Sequence, residues 1–347
     1  MASQLGSGAM DEEPVQPLPE DAQRWVADAL GGAEVTVSSS RIRPWSGVWE
    51  LTPASGGDEC WWFKENRLSG RHEPALSAAL AQISPLVDEP VAVDPARSRL
   101  LMHDAGERLR EQLDGAGSGR ARLTLATWAD LLPRYAELQL AAVPLAADLV
   151  AAGVPLVAPL DHPALFDELL GEDEWLRPGI SPEMSFETYA QLCGTQALVA
   201  EAVDAVEAAG IGISIQHDDL HDGNVFVRTG DPRGFSIIDW GDSYLGHPFG
   251  TLLVTLNGIA NRLGLDTATE RPELARLVDA YLEPFTGPGR TLADLRGVLP
   301  SVLLLARIGR AESWRRMFAG DQRAAAAMGW ADSMPGWFAS VVDGRWI

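Results

Sequence analysis

Three side chains in the 347-residue sequence have the types and spacing to do chemistry: Asp219, Asn224 five positions later, and Asp239 fifteen positions after that. Asp219 and Asn224 stand in Ile215-Gln216-His217-Asp218-Asp219-Leu220-His221-Asp222-Gly223-Asn224-Val225-Phe226-Val227, and Asp239 in Ile238-Asp239-Trp240. A loop carboxylate can orient a hydroxyl and accept its proton. An amide oxygen and a second carboxylate, once brought together, offer hard oxygen ligands to a small divalent cation. Phosphoryl transfer asks for this combination, because its loose transition state needs positioning and charge compensation more than covalent help.

What must position them is a hairpin. Residues 225–228 and 235–239 are apolar and rich in β-branched residues, and Thr229-Gly230-Asp231-Pro232-Arg233-Gly234 between them is turn chemistry. With Arg228 opposite Phe235, Asn224 falls opposite Asp239, and directly opposed residues have Cβ atoms about 4.5–5.5 Å apart. His217 and His221 bracket Asp219, and His217 is expected to fix the loop through hydrogen bonds to backbone. Two plainer readings compete. Asp-Gly-Asn is ordinary turn sequence, and His217, Asp219 and His221 could bind zinc as the site of a hydrolase, which leaves Asn224 and Asp239 without a role.

The segment His217 to Asn224 with Ile238-Asp239-Trp240 resembles the aminoglycoside phosphotransferase family, whose pattern is His-Gly-Asp-Leu-His-x-x-Asn followed by Ile-Asp-Trp. The resemblance implies an α+β, bilobal, protein-kinase-like fold, with a small antiparallel β-sheet N-lobe and a mainly helical C-lobe. It implies a small-molecule kinase that moves the γ-phosphate of ATP or GTP to a substrate hydroxyl with Mg2+. By position, Asp219 would be the catalytic base and Asn224 and Asp239 the metal ligands. An antibiotic such as an aminoglycoside is the commonest implied acceptor; sugars, amino-alcohols and other natural products stay open, as does an inactive nucleotide-binding module. Two departures stand out: Asp218 where Gly is usual, and Gly246-His247-Pro248-Phe249-Gly250-Thr251-Leu252 where the family tends to Gly-Asp-Pro-x-x-Asp-Leu.

A kinase also needs a phosphate-covering loop and a lysine upstream. Residues 46–52 alternate like a strand, 53–58 are turn-rich, and 59–64 end on Lys64. If Thr52 pairs with Glu59, Lys64 lies opposite Gly47, beside a Ser46-Gly47 corner whose amides could meet a phosphate. Glu73, at the start of an apolar-periodic helix over 73–83, is the expected partner of Lys64, with Glu65 its rival. Residues 99–106 read as the last strand of the small lobe, and the resemblance makes Met102, His103 and Asp104 the hinge that holds the base. The expected organisation is a tail over 1–15, a nucleotide lobe over 16–104, and a helical lobe over 105–347 with the catalytic loop at 215–242.

Composition bounds the rest. The chain is 46% hydrophobic and 22% charged with a net charge of −22, which argues against nucleic acid or an anionic membrane as partner. The acidity suits a hydroxylated, cationic small molecule, or solubility alone. Two cysteines, Cys60 and Cys193, give no disulfide framework, and no signal or membrane segment is visible, so a cytoplasmic monomer or homodimer is expected. Helices are expected over 120–143 with a bend near Pro133, within a loop over 145–182, and over 186–209, 249–263, 271–285, 292–318 and 324–342 with a break near Pro335. Asp222, Asp242, Glu312 and Asp321 are candidate anchors for substrate amines, and Trp314, Trp330 and Trp337 candidate stacking walls. The competing reading makes these acids solvated and these rings core.

Overall fold

The computed structural model describes residues 14–228, 230–231, 234–265 and 271–343. The first thirteen residues of the expected tail, Thr229, Pro232 and Arg233 of the expected turn, and residues 344–347 lie outside them. The amino-terminal part comprises α1 (Glu20–Ala29), β1 (Val35–Ile42), β2 (Ser46–Pro53), β3 (Trp61–Asn66), α2 (Glu73–Ala81), β4 (Ala92–Asp94) and β5 (Arg99–His103). Its strands form one antiparallel sheet ordered β1-β2-β3-β5-β4.

Alternation along the pleat sorts this sheet into two faces. Trp49, Leu51, Trp61, Phe63 and Leu101 pack on Leu18 and on Ala22 and Val26 of α1, forming a small core of their own. Arg41, Val48, Trp62, Lys64 and Met102 alternate with them and take the other face. The Trp49 indole lies over Gly47 so closely that a Cβ there would come within 2.3 Å of the ring. Packing of the tryptophan therefore accounts for that glycine.

The remainder is mainly helical: β6 (Glu107–Arg108), α3 (Leu109–Gly115), α4 (Arg120–Ala142), α5 (Ala146–Ala151), α6 (His162–Leu170), α7 (Asp173–Leu176), α8 (Phe186–Leu192), α9 (Gln196–Ala208), β7 (Ser214–Gln216), β8 (Val225–Val227), β9 (Phe235–Ile237), β10 (Tyr244–Gly246), α10 (Leu252–Leu263), α11 (Pro272–Leu282), α12 (Leu292–Met317), α13 (Gln322–Ala327) and α14 (Ser333–Asp343). The short strands form two small sheets, β6-β8-β9 and β10-β7. A large core runs from Leu76 and Leu80 of α2 through Leu131 and Tyr135 of α4 to Leu303 of α12 and Phe338 of α14. Helix α2 thus plugs the sheet part into the helical part; truncating a buried leucine such as Leu76 to alanine costs about 2–5 kcal/mol.

Three expectations need correction. Residues 145–182 hold three short helices, α5 to α7, where one was expected. The single helix expected over 186–209 breaks into α8 and α9 at Gly194 and Thr195, where the Thr195 hydroxyl donates to the Gln191 carbonyl, a local bond that competes with helix continuation. Near the carboxy terminus the break falls between α13 and α14, ahead of Pro335, which sits in the first turn of α14, where its missing N–H costs no helix bond. No helix among the described residues is long and apolar enough to cross a membrane.

Candidate active site

Lys64 sits on β3 facing the junction of the two parts. It pairs with Val48, one residue from the expected Gly47, because β3 begins at Trp61 and the preceding loop is longer than assumed. Its Nζ lies 2.6 Å from Glu73 Oε2 and 2.5 Å from Asp239 Oδ1. Glu73, the first residue of α2, also accepts from Asn66 Nδ2 at 2.7 Å. Glu65, the rival partner, is taken by Arg99 at 2.7 Å. Burial alone would push the Lys64 ammonium towards neutrality, but Asp239 and Glu73 outweigh it and hold its pKa above the usual lysine value. Burial raises the Glu73 carboxyl, with Lys64 opposing. A buried pair this tight is costly to break on one side only.

The loop between β7 and β8 presents Asp219. Asn224 Nδ2 donates to the Asp219 carbonyl at 3.0 Å and to its Oδ2 at 3.3 Å. His221 Nε2 lies 3.3 Å from the same Oδ2, while its Nδ1 accepts from the Gly223 N–H at 2.9 Å. His217 is fully buried against the Trp240 ring; its Nε2 donates to the Ile238 carbonyl at 2.8 Å and its backbone N–H to the Tyr135 hydroxyl at 3.0 Å. Burial depresses the His217 pKa and keeps the ring neutral. This histidine ties the loop to Ile238, between the end of β9 and Asp239.

The hairpin register differs from expectation by one residue. Val225 pairs with Ile237, and the Ile238 N–H donates to the Asn224 carbonyl at 3.0 Å, so Asn224 opposes Ile238. Asp239 then leaves the strand in the left-handed region, with φ 66° and ψ 54°, a conformation a short polar residue tolerates better than most. Asp218 does the same at φ 61°, which explains how an aspartate stands where the resemblance would put glycine.

A residue outside the motif organises the acids. Arg310 of α12, 5% exposed, donates from Nη2 to Asp219 Oδ1 at 2.9 Å and from Nη1 to Asp218 Oδ2 at 3.3 Å and Asp242 Oδ2 at 3.5 Å. Burial would raise the Asp219 pKa, but Arg310 and His221 outweigh it and hold the carboxyl well below its usual range. Asp242 lacks that balance: burial, with Asp219 and Asp239 nearby, pushes it up to about 7 despite Arg310. The Arg310 guanidinium also lies 5.6 Å over the Trp314 ring, which stacks on Trp330 at 5.2 Å. Those rings, with Trp337, pack against the main core.

The other candidates scatter. Ser46 is buried at the start of β2, one position before the glycine under Trp49. Met102 pairs with Trp62 across the face that carries Lys64; His103 and Asp104 are exposed, and Asp104 accepts from Trp62 Nε1 at 2.9 Å. Asp222 is held by Arg110 at 2.9 Å and Arg262 at 2.5 Å, Glu312 by Arg315 at 2.7 Å, and Asp321 caps α13 through the N–H groups of Arg323 and Ala324. His247 stands where the resemblance expects aspartate, and its Nδ1 accepts from the Phe249 N–H at 3.3 Å. Sequence reasoning missed Arg310, which no motif marks, and Arg41, which pairs with Val48 and so shares a row with Lys64.

The donor set can be tested against the ion the resemblance implies. Asn224 spends its amide N–H on Asp219, which turns its carbonyl oxygen away, and Asp239 spends one carboxylate oxygen on Lys64. One amide oxygen and one carboxylate oxygen are thus offered, a hard set that suits magnesium. Among the described residues no group of three His, Cys, Asp or Glu is placed to hold a metal, and His217 is already committed to Ile238, so the zinc arrangement does not form.

The fold is similar to that of an ethanolamine kinase from Plasmodium vivax (12% identity, 92% of this chain and 82% of that one, TM-score 0.60). It is also similar to a macrolide 2'-phosphotransferase type I (14% identity, 91% and 98%, TM-score 0.54) and to a putative aminoglycoside phosphotransferase from Ralstonia eutropha (15% identity, 93% and 97%, TM-score 0.53). No curated protein matches the chain significantly in sequence. The family model described as "Phosphotransferase enzyme family" matches residues 70–298, a span holding Glu73, Asp219, Asn224 and Asp239, and on that match the chain belongs to the APH phosphotransferase family, an α+β, protein-kinase-like group of enzymes.

Proposed function

We propose that the protein is a magnesium-dependent kinase that transfers the γ-phosphate of ATP or GTP to a hydroxyl of a small molecule, with residues 16–104 as the nucleotide lobe and 105–347 as the lobe for the acceptor. The observation that carries this reading is the bridge from Lys64 to Glu73 and Asp239, which joins a buried cation of the sheet to one of the two expected metal ligands. Lys64, fixed by Glu73, contacts the α- and β-phosphates. Arg41, in line with it across the sheet, adds a second cation near Asp239. Trp62 and Met102 line the same face and offer an apolar surface to the base.

Asn224 and Asp239 would hold the magnesium, which would supply charge compensation for the phosphate oxygens. Asp219 takes the proton of the acceptor hydroxyl as that oxygen bonds to the γ-phosphorus, and the oxygen bridging to the β-phosphate leaves with its electron pair. Because Arg310 keeps Asp219 ionised, its role is orientation more than strong basicity. The test is thermal: magnesium with ATP or GTP should stabilise the chain, chelation should remove the effect, and Asp239→Ala should abolish it. Stabilisation by nucleotide that ignores both magnesium and Asp239 would rule out the metal assignment.

A further inference from the structure

Resting on that kinase reading, we infer that a side chain takes over the phosphate-covering task in this chain: Arg41 binds the nucleotide's polyphosphate beside Lys64. In protein kinases that task falls to a glycine-rich loop between two strands. Here the corresponding turn joins β1 to β2 over residues 43–45 and holds no glycine. Its Arg43 N–H is spent on the Ser46 carbonyl at 2.8 Å, and Pro44 has no N–H to give. The run of successive free amides that a backbone phosphate cradle requires is therefore interrupted at both residues. The Trp45 ring meets Phe318, just past α12, edge-on at 5.5 Å, and the Trp45 carbonyl accepts from the Arg67 N–H at 2.8 Å, so the tip of the turn is tied down. Gly47, the nearest glycine, is taken up by packing, because the Trp49 ring fills the place of its side chain.

Arg41 stands where this loss can be made good. It lies opposite Val48, which lies opposite Lys64, so the two cations share the cleft face two strands apart, about 10 Å at the usual strand spacing. Among the described residues no carboxylate pairs with Arg41. Arg99, the other arginine on a strand of this sheet, holds both Asp21 and Glu65. Arg41 keeps contact with solvent, so a ligand can reach it. Neighbouring atoms still crowd it: burial lowers its pKa, the Asp239 carboxylate opposes that, and Arg43 and Arg108 reinforce it. The guanidinium is thus short of negative charge, and the one acid it feels is the proposed metal ligand of the active site. A phosphate would supply the missing charge, and the planar guanidinium can meet two phosphate oxygens at once. Two strands then each bring one cation to the polyphosphate, Lys64 already held by Glu73 and Asp239, and Arg41 unpaired until nucleotide arrives.

The experiment titrates the full chain with magnesium and ATP or GTP, and separately with the matching nucleoside, comparing the wild type with Arg41→Gln and Arg41→Lys by calorimetry. Arg41→Gln should weaken triphosphate binding by about tenfold or more, the worth of one charge-assisted contact. Nucleoside binding should stay within about twofold. The melting temperature without nucleotide should match that of the wild type, because the substitution breaks no ion pair. Arg41→Lys should recover part of the affinity, since it keeps the charge without the fork. Triphosphate affinity of Arg41→Gln within about twofold of the wild type overturns the inference. So does an equal loss for triphosphate and nucleoside, which would mark a general disturbance of the lobe. Should Arg41→Gln not fold, Arg41→Lys makes the same comparison with a smaller loss confined to the triphosphate, and no loss overturns the inference equally. Failure of the kinase reading is separable: it appears as a wild-type chain that gains no Asp239-dependent stabilisation from magnesium nucleotide, whereas failure here leaves that stabilisation intact and equal in Arg41→Gln.

Discussion

Lys64 and Asp239, 175 positions apart in sequence, meet at 2.5 Å across the cleft between the sheet and the helical part. The contact ties the two halves through the groups proposed to handle phosphate and metal. Lys64→Ala would leave Glu73, 1% exposed, as a buried acid without its cation, so a loss of about 3–5 kcal/mol of stability is expected along with nucleotide affinity. Lys64→Arg keeps the charge and should recover stability more than turnover. Equilibrium denaturation beside a nucleotide titration checks both, and an Ala variant as stable as the wild type would contradict the buried-pair account.

Arg310 should set the acid limb of the pH–rate profile. It holds the Asp219 carboxyl below its usual range, so Asp219 is ionised at any ordinary assay pH. Removing one opposite charge at this range typically shifts a carboxyl by about 1–3 units. Arg310→Gln should therefore move the acid limb of kcat/KM upward by about one unit or more, with Arg310→Lys restoring part of it. A uniform drop in rate at every pH would mean a merely structural role. For stability the sign is similar: a depressed carboxyl stabilises the fold above its unfolded value near about 4 and stops doing so as pH falls below it.

Buried neutral histidines should make the fold acid-sensitive earlier than its carboxylates would. Burial pushes His247 down to about 3 and His72 to about 4, and lowers His217. Their folded values lie below the unfolded one, so the stability they confer is complete above about pH 6.5 and drains away as pH falls towards the folded values. Stability should decline between pH 7 and 5. His247→Asn, which keeps an oxygen for the Phe249 N–H, should flatten that decline by up to about 1.4 kcal/mol per pH unit. Denaturant midpoints at several pH values measure it, and an unchanged slope would exclude His247 as a contributor.

Gly47 makes a separate prediction. If its role were to let backbone amides approach a phosphate, Gly47→Ala would mainly weaken nucleotide binding. Since the added methyl meets the Trp49 ring, the substitution should cost about 1–3 kcal/mol of stability through overpacking. Gly47→Ala combined with Trp49→Leu should cost less than the two changes summed, which a double-mutant cycle would register.

Much of this was legible in sequence. The motif from His217 to Asn224 and the Ile-Asp-Trp that follows marked the loop and hairpin because strand and turn residues obey short-range rules. What failed was register: Lys64 and Asp239 each fall one residue from their expected partners, since turn length sets pairing and both turns carry more residues than a minimal hairpin. Asp239 is placed by its left-handed backbone instead. Arg310 was invisible because its role depends on α12 crossing behind a loop ninety-one positions earlier, and an arginine in a long helix has no local mark. The clamping of Asp222 by Arg110 and Arg262 is likewise tertiary, whereas Glu312 and Arg315 are i,i+3 neighbours on α12.

Asp219 is the residue on which the proposed phosphoryl transfer turns. In a wild-type reaction with magnesium nucleotide and an accepted hydroxyl compound, Asp219→Asn should lower kcat by about 10³-fold or more, a size within the range that general-base catalysis contributes, while leaving magnesium-nucleotide affinity within about twofold. Turnover by Asp219→Asn close to that of the wild type would contradict the central claim.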